Sequence, residues 1–453
     1  MKFPRLVLKP LALFEFASTL RLSLFLIICL ILGGTSQDIV TPKLPLYLVS
    51  LFVIGGCLTA LKPDSQLWKL KPLLVFFVVI VVVQLAYLVP LPPSIWTELN
   101  GREFIAQGFE TLGTELPWLP LSVTPEKTLF SLFDFFPPLA LVLLMGTVVS
   151  PKEFRTALWS LGFFVIISSI IGMMQVTGNM NMYFYEFTNN RSAVGFFSNA
   201  NHYALFLLMS IPLITCLADQ KRIIVSEDSG RLVIFSIVVI FAALLGIGLS
   251  GSLAGFLLII PVLSATLFVW SKDVKIKNIY LVGIFASLIL VLLFDVFIWN
   301  DMQSEISRKF SSIDTSTRRV MFENTYQISK EFFPFGSGLG SFSDVYRLVE
   351  DAGPRTIPHA HNEYIEIISE IGIFGIFTLV FLFFWIGKNI FKAIFSQGVE
   401  GNSAKFMSIP IVSIGIHSIF EFSLRTMAIM TFTVFVICSL NLLNKNVKLN
   451  SRN

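Results

Sequence analysis

Residues 232–270 read LVIFSIVVIFAALLGIGLSGSLAGFLLIIPVLSATLFVW, with Arg231 just before them and Lys272 just beyond. A transmembrane helix needs about 20 predominantly apolar residues to cross roughly 30 Å of hydrocarbon. Two such helices fit here, over 232–250 and 252–270, separated only by Ser250, Gly251 and Ser252. Those three residues make either a tight turn or a break inside the membrane. Outward from this pair, the alternation of apolar run and polar break gives twelve spans. They fall near 19–34, 44–61, 72–90, 128–149, 156–175, 202–218, 232–250, 252–270, 278–299, 364–386, 406–422 and 426–443. The expected fold is all-α, a single polytopic membrane domain over 1–453.

Composition supports this. Of the 453 residues, 55% are hydrophobic and 14% charged. Soluble domains carry about 25% charged residues, so a water-soluble globule is excluded. The net charge of +4 is scattered over short loops and marks no nucleic-acid partner. Cys29, Cys57, Cys216 and Cys438 all lie in apolar runs, where they read as small buried hydrophobes. The basic start, Met1 to Lys9, precedes an apolar run without a small-residue cleavage site. An uncleaved first helix is expected there.

With the N-terminus inside, 21 of the 33 Lys and Arg residues are cytoplasmic. Seven of the remaining 12 share one long loop, where the positive-inside rule is weak. Both termini are therefore expected in the cytoplasm. Two outer loops exceed what a turn requires, at 91–127 and 300–363. The first opens with Val89-Pro90-Leu91-Pro92-Pro93 and carries Trp96 and Trp118 at expected interface depth. The second, between the ninth and tenth spans, gathers polar residues, which places any chemistry on the outer face.

The chain has four histidines, His202, His359, His361 and His417, each at or near an outer helix end or in the large loop. Any one of them alone is as readily a packed residue as a functional one. His359 and His361 lie in Pro358-His359-Ala360-His361-Asn362-Glu363-Tyr364, where Asn362 suits a helix N-cap. Glu363, Glu366 and Glu370 follow on one helix stripe. Inside a membrane helix the last two are costly unless they face a polar cavity. Arg191 and the large loop's Arg308, Lys309, Arg318, Arg319, Arg347 and Arg355 could hold phosphate oxygens. The loop's own acids are as numerous, so most of these cations are expected to pair locally.

Two motifs fail on context. Gly336-Ser337-Gly338-Leu339-Gly340-Ser341-Phe342 follows no expected strand and lies outside, so its glycines are read as close backbone approach or a tight turn. His359-x-His361 has metal-pair spacing but no third His or Cys nearby, although Glu363 could serve.

Taken together, Pro334–Phe342, His359–Tyr364 and Glu370-Ile371-Gly372-Ile373-Phe374-Gly375 resemble the signature region of the bacterial O-antigen ligase and polymerase superfamily. Arg191–His202, the His417-Ser418-Ile419-Phe420-Glu421-Phe422 segment and the Pro-Leu-Pro-Pro…Trp loop are similar to further family segments. The resemblance implies an inner-membrane glycosyltransferase of lipopolysaccharide or exopolysaccharide assembly. It would take glycan from an undecaprenyl-diphosphate carrier on the periplasmic side. The acceptor would be lipid A core, another carrier-linked glycan or a protein. It further implies metal-independent, cofactor-free, inverting catalysis by a loop histidine. By position that is His361, with His359 beside it, while Arg191 and Arg318 or Arg319 hold the diphosphate. Asn362, Glu363, His202, His417 and Glu421 would support them. One departure stands out: where family members often carry an arginine, this chain has Leu253 in Ser252-Leu253-Ala254-Gly255. Two other classes remain in view, a secondary transporter, which also commonly has about twelve spans, and a non-catalytic scaffold of a polysaccharide export system.

Overall fold

Apolar length and the position of each polar break determine most of the architecture. The computed structural model describes residues 10–37, 40–61, 65–147, 150–219, 228–271, 315–350 and 357–446. Among the described residues, nine helices are long and apolar enough to cross a membrane. They are Thr41–Thr59, Gln66–Tyr87, Pro125–Thr147, Pro151–Val176, Ala200–Asp219, Gly230–Ser250, Leu253–Trp270, Glu363–Phe395 and Met427–Lys445. Thr19–Leu32 is a shorter apolar helix, and Gly398–His417 is a further helix of 20 residues. These account for every expected span except 278–299, which lies outside the described residues. The protein is thus all-α and polytopic. Its described strands are a two-residue antiparallel pair, Pro90 opposite Pro120 and Leu91 opposite Leu119.

Local chemistry sets the helix ends. Ser150 and Glu153 form a reciprocal capping box before Pro151–Val176, at 3.2 and 3.0 Å. Asn362 caps Glu363–Phe395 as expected, its Oδ1 accepting from the Tyr364 and Ile365 amides. The eleventh span ends at His417 rather than 422, so Glu421 lies in the connection to the last helix.

Ala200–Asp219 is the central helix, buried along nearly its whole length. A helix apolar on all sides belongs inside a bundle, and this one packs against Asp228–Ser250, Gly398–His417 and Leu253–Ser271. Its N-terminus, carrying Asn201 and His202, is held at one end of the bundle by the preceding loop. Gln175, at the end of Pro151–Val176, fixes that loop: its Oε1 accepts from the Val194 and Gly195 amides at 2.9 Å each.

The loops meet at the same end. Trp96 is not an interface anchor, because it is buried and donates to the Pro117 carbonyl at 2.9 Å; Trp118 is the exposed one. Arg102 is buried and donates to the carbonyls of Leu121 (2.5 Å) and Gly336 (3.1 Å), stapling the first long loop to the second. Burial lowers its guanidinium to about 10, which leaves it charged at neutral pH.

Helix Glu363–Phe395 is broken at Ile371 and Gly372, where Gly372 has φ +52°. The glycine-rich segment fills the break. Ser337 and Gly338 donate to the carbonyls of Ser369 (3.1 Å) and Glu370 (2.7 Å), and Ile373 donates to that of Pro334 (2.8 Å). Tyr87 Oη donates to the Phe335 carbonyl from the other side. Backbone freed at membrane depth must find such partners. The glycines make the approach possible: a Cβ on Gly372 would lie 2.0 Å from the Pro334 oxygen.

Candidate functional site

The broken helix, the central helix and the 418–426 connection converge, and with them all four histidines. Phe422 is buried among three of the rings. His359 stacks on it at 4.3 Å between centroids, and His361 and His202 approach it edge-on at 4.9 and 5.0 Å. His417 shares a hydrogen bond with Ser423 (3.0 Å), and His202 shares one with Thr426 (2.7 Å).

His361 is the accessible ring of the set. Its side chain is 32% exposed, whereas those of His359 and Glu421 are 3% and 1% exposed. His361 Nδ1 donates to Glu421 Oε2 at 3.1 Å, and Asn201 Nδ2 donates to the other carboxylate oxygen at 2.6 Å. Burial works against charge on Glu421, but the His361 hydrogen bond and the neighbouring imidazoles hold its carboxyl down to about 2. A carboxylate on Nδ1 fixes the tautomer in which Nε2 carries the lone pair. His361 therefore presents a basic nitrogen on an oriented ring.

His359 belongs to a second, fully buried network. Its Nδ1 donates to Glu366 Oε1 at 2.8 Å, and the Ala360 amide donates to Oε2 at 2.7 Å. Glu363, Glu366 and Glu370 all face Arg425, at 3.4, 3.4 and 2.7 Å. This resolves the cost of acids in an apolar helix: the three buried carboxylates ring one guanidinium, whose side chain is 17% exposed. Removing one partner of a buried ion pair costs about 3–5 kcal/mol.

Arg191 and His361 are the described non-glycine residues with positive φ, +66° and +50°. A left-handed backbone at a non-glycine residue costs about 1–3 kcal/mol and persists where surrounding contacts impose it. Arg191 sits in a turn closed by the Ser192 amide on the Asn189 carbonyl (3.2 Å), with its side chain exposed. Arg319 points outward and pairs with Glu323 at 2.7 Å, the local pairing expected of most loop arginines. The side chain of Arg318, and Arg308, Lys309 and Arg355 altogether, lie outside the described residues. Among the described residues, no group of three or more His, Cys, Asp or Glu has the arrangement of a metal site. Leu253 is 37% exposed beside the Ser252 helix cap.

Sequence reasoning missed Arg425, Asn201 and Phe422. For Arg425 a signal existed: three acids on one stripe of an apolar helix require a buried cation, and Arg425 stands between two apolar runs. Asn201 and Phe422 carry no such mark.

A comparison with known families bears on this geometry. Residues 237–380 match the family model described as O-antigen ligase. No curated protein matches the chain. The matched segment includes the glycine-rich loop, His359, His361 and the three acids, while Arg191, Glu421 and Arg425 lie outside it.

Proposed function

Because the chain belongs to the O-antigen ligase and polymerase superfamily, we propose that it transfers a glycan from an undecaprenyl-diphosphate carrier to an acceptor hydroxyl at the outer face of the bacterial cytoplasmic membrane. The lysine and arginine bias supports that orientation, with both termini inside. In this reading 300–363 is the catalytic loop. Another glycan, lipid A core and other hydroxyl acceptors all present the same nucleophile to this site.

The observation that carries the proposal is the His361–Glu421 pair. A sugar hydroxyl is a poor nucleophile, and a positioned imidazole can take its proton as the new bond forms. The acceptor oxygen bonds to the anomeric carbon while that carbon's bond to the phosphate oxygen breaks. The electron pair leaves with the diphosphate, and the proton goes to His361 Nε2. Glu421 then stabilises the imidazolium. Arg191, exposed on a fixed turn, is the described cation best suited to meet the leaving diphosphate, and Arg318 and Arg319 are secondary candidates.

Glu421→Gln keeps the shape of the side chain but removes the charge that orients His361. We expect transfer to fall by about 10²–10⁴, as when an orienting carboxylate becomes an amide. Unchanged turnover would separate Glu421 from the chemistry.

The reading as a whole is tested with purified protein in lipid, supplied with carrier-linked glycan and an acceptor. Acceptor-dependent release of undecaprenyl diphosphate is expected. Translocation with the carrier bond intact would mark a transporter, and no release under any acceptor would leave a scaffold. Deletion of the gene then distinguishes the acceptors. Single units still attached without long chains indicate a polymerase, whereas long chains left on the carrier indicate a ligase.

A further inference from the structure

We infer that Arg425 is a positioning residue for this transfer, a hub that aims His361 through the backbone of the segment before it. The inference rests on the proposed role of His361. Arg425 is largely but not fully enclosed, its side chain 17% exposed, and its guanidinium meets three carboxylates on one helix stripe, Glu363, Glu366 and Glu370. Each carboxylate spends its remaining hydrogen-bonding capacity on a different stretch of irregular chain. Glu363 Oε1 accepts from the Leu424 amide at 2.7 Å. Glu370 Oε1 accepts from the Gly340 amide at 2.8 Å and the Phe342 amide at 3.4 Å. Glu366 accepts from His359 and from the Ala360 amide.

Three segments without regular structure are thereby tied to one half-helix: the glycine-rich loop, the histidine segment and the connection carrying Glu421. The third tie matters most for the chemistry. Ala360 immediately precedes His361, whose backbone is left-handed, and a residue does not rest in that conformation unless its neighbours hold it. Glu366 holds Ala360, and Arg425 holds Glu366. From its other flank, the connection of which Arg425 is part supplies Glu421 to the imidazole. One guanidinium thus links both groups that set the ring's position. Its ion-pair partners are these three carboxylates, not the His361 ring.

The geometry also explains why an arginine is needed. Contacting three carboxylates in different directions requires a planar fork with several donors, which an ammonium group on a flexible stem does not provide.

The test compares Arg425→Lys, Glu366→Gln and His361→Ala for carrier-diphosphate release in purified, lipid-reconstituted protein. Arg425→Lys keeps the charge and loses the fork; kcat is expected to fall at least tenfold with donor KM unchanged. Glu366→Gln keeps the shape and is expected to lower kcat in the same way. It also keeps the question answerable if Arg425→Lys does not fold. Adding Arg425→Lys to His361→Ala should lower the rate no further, because both act on one proton transfer. An inactive His361→Ala beside Arg425→Lys and Glu366→Gln with wild-type kcat would overturn the hub and leave the histidine mechanism standing. A fully active His361→Ala would instead overturn the reading on which the hub rests. Raised donor KM with unchanged kcat in Arg425→Lys would overturn the hub alone, by making Arg425 a binding residue.

Discussion

His361→Ala should reduce acceptor-dependent release of undecaprenyl diphosphate by about 10²–10⁴, the usual worth of a general base, while expression and membrane insertion stay normal. The two halves of that expectation have separate physical grounds. Insertion is set by apolar spans that this side chain does not enter. Its ring is 32% exposed, so truncation opens no sealed cavity. The left-handed backbone at 361 is a strain that histidine already carries, and alanine at φ +50° adds only a little to it. What disappears is the one accessible imidazole on Glu421. The carboxylate left behind retains the Asn201 donor at 2.6 Å, so the surrounding pocket keeps its framework. Release assayed in washed membranes, normalised to protein amount, checks this directly. Wild-type release by the variant would take His361 out of the mechanism, and with it the proton transfer proposed here.

The sequence made the bundle legible because a bilayer imposes one length on every span, and an apolar run of that length needs no partner to be recognised. The stretch 232–270 reads as two helices from composition alone, and it is two helices. The histidines were legible as candidates because only four exist. Their meeting was not. His202 and His361 are far apart in the chain, and only packing on Phe422 brings their rings together. Arg425 was hidden for a related reason: its role depends on three acids that precede it by 55 to 62 residues. The break at Gly372 was hidden differently. Glu370-Ile371-Gly372-Ile373-Phe374 fits an uninterrupted apolar helix, in which an isolated glycine is tolerated. Only the backbone of the 334–338 segment, arriving alongside, shows why the helix opens there. The arginines show the opposite error, because a cation in a loop looks available until its i,i+4 partner is seen, as with Arg319 and Glu323.

That break is where a single methyl group is expected to do the most structural damage. Gly372→Ala should unfold the site end of the bundle, seen as a large fall in Tm in detergent and loss of transfer. Two costs add at this position. At φ +52° and ψ −128° Gly372 lies outside even the left-handed helical region, so a side chain there costs more than the about 1–2 kcal/mol of a left-handed residue. The new Cβ would also stand 2.0 Å from the Pro334 oxygen and 2.6 Å from its carbonyl carbon, atoms of backbone that cannot rotate away. Relief requires the 334–338 segment to withdraw. That would break the Ile373–Pro334 bond first and then the Ser337–Ser369 and Gly338–Glu370 bonds, leaving buried amides and carbonyls unpaired at about 1–3 kcal/mol each. Gly336→Ala attacks the same contact from the opposite side, since its Cβ would lie 2.5 Å from the Glu370 carbonyl. The two substitutions together should therefore cost less than their sum. Gly113→Ala is the internal control. Its backbone, at φ +64° and ψ 29°, lies in the left-handed helical region that alanine enters at about 1–2 kcal/mol, and nothing lies within 4 Å of the added Cβ. It carries that smaller conformational cost without a collision and should lower Tm only slightly. If Gly372→Ala proved no more harmful than Gly113→Ala, the glycine-rich segment would not be seated in the helix break, and the path from Arg425 through Glu370 to that segment would lose its footing.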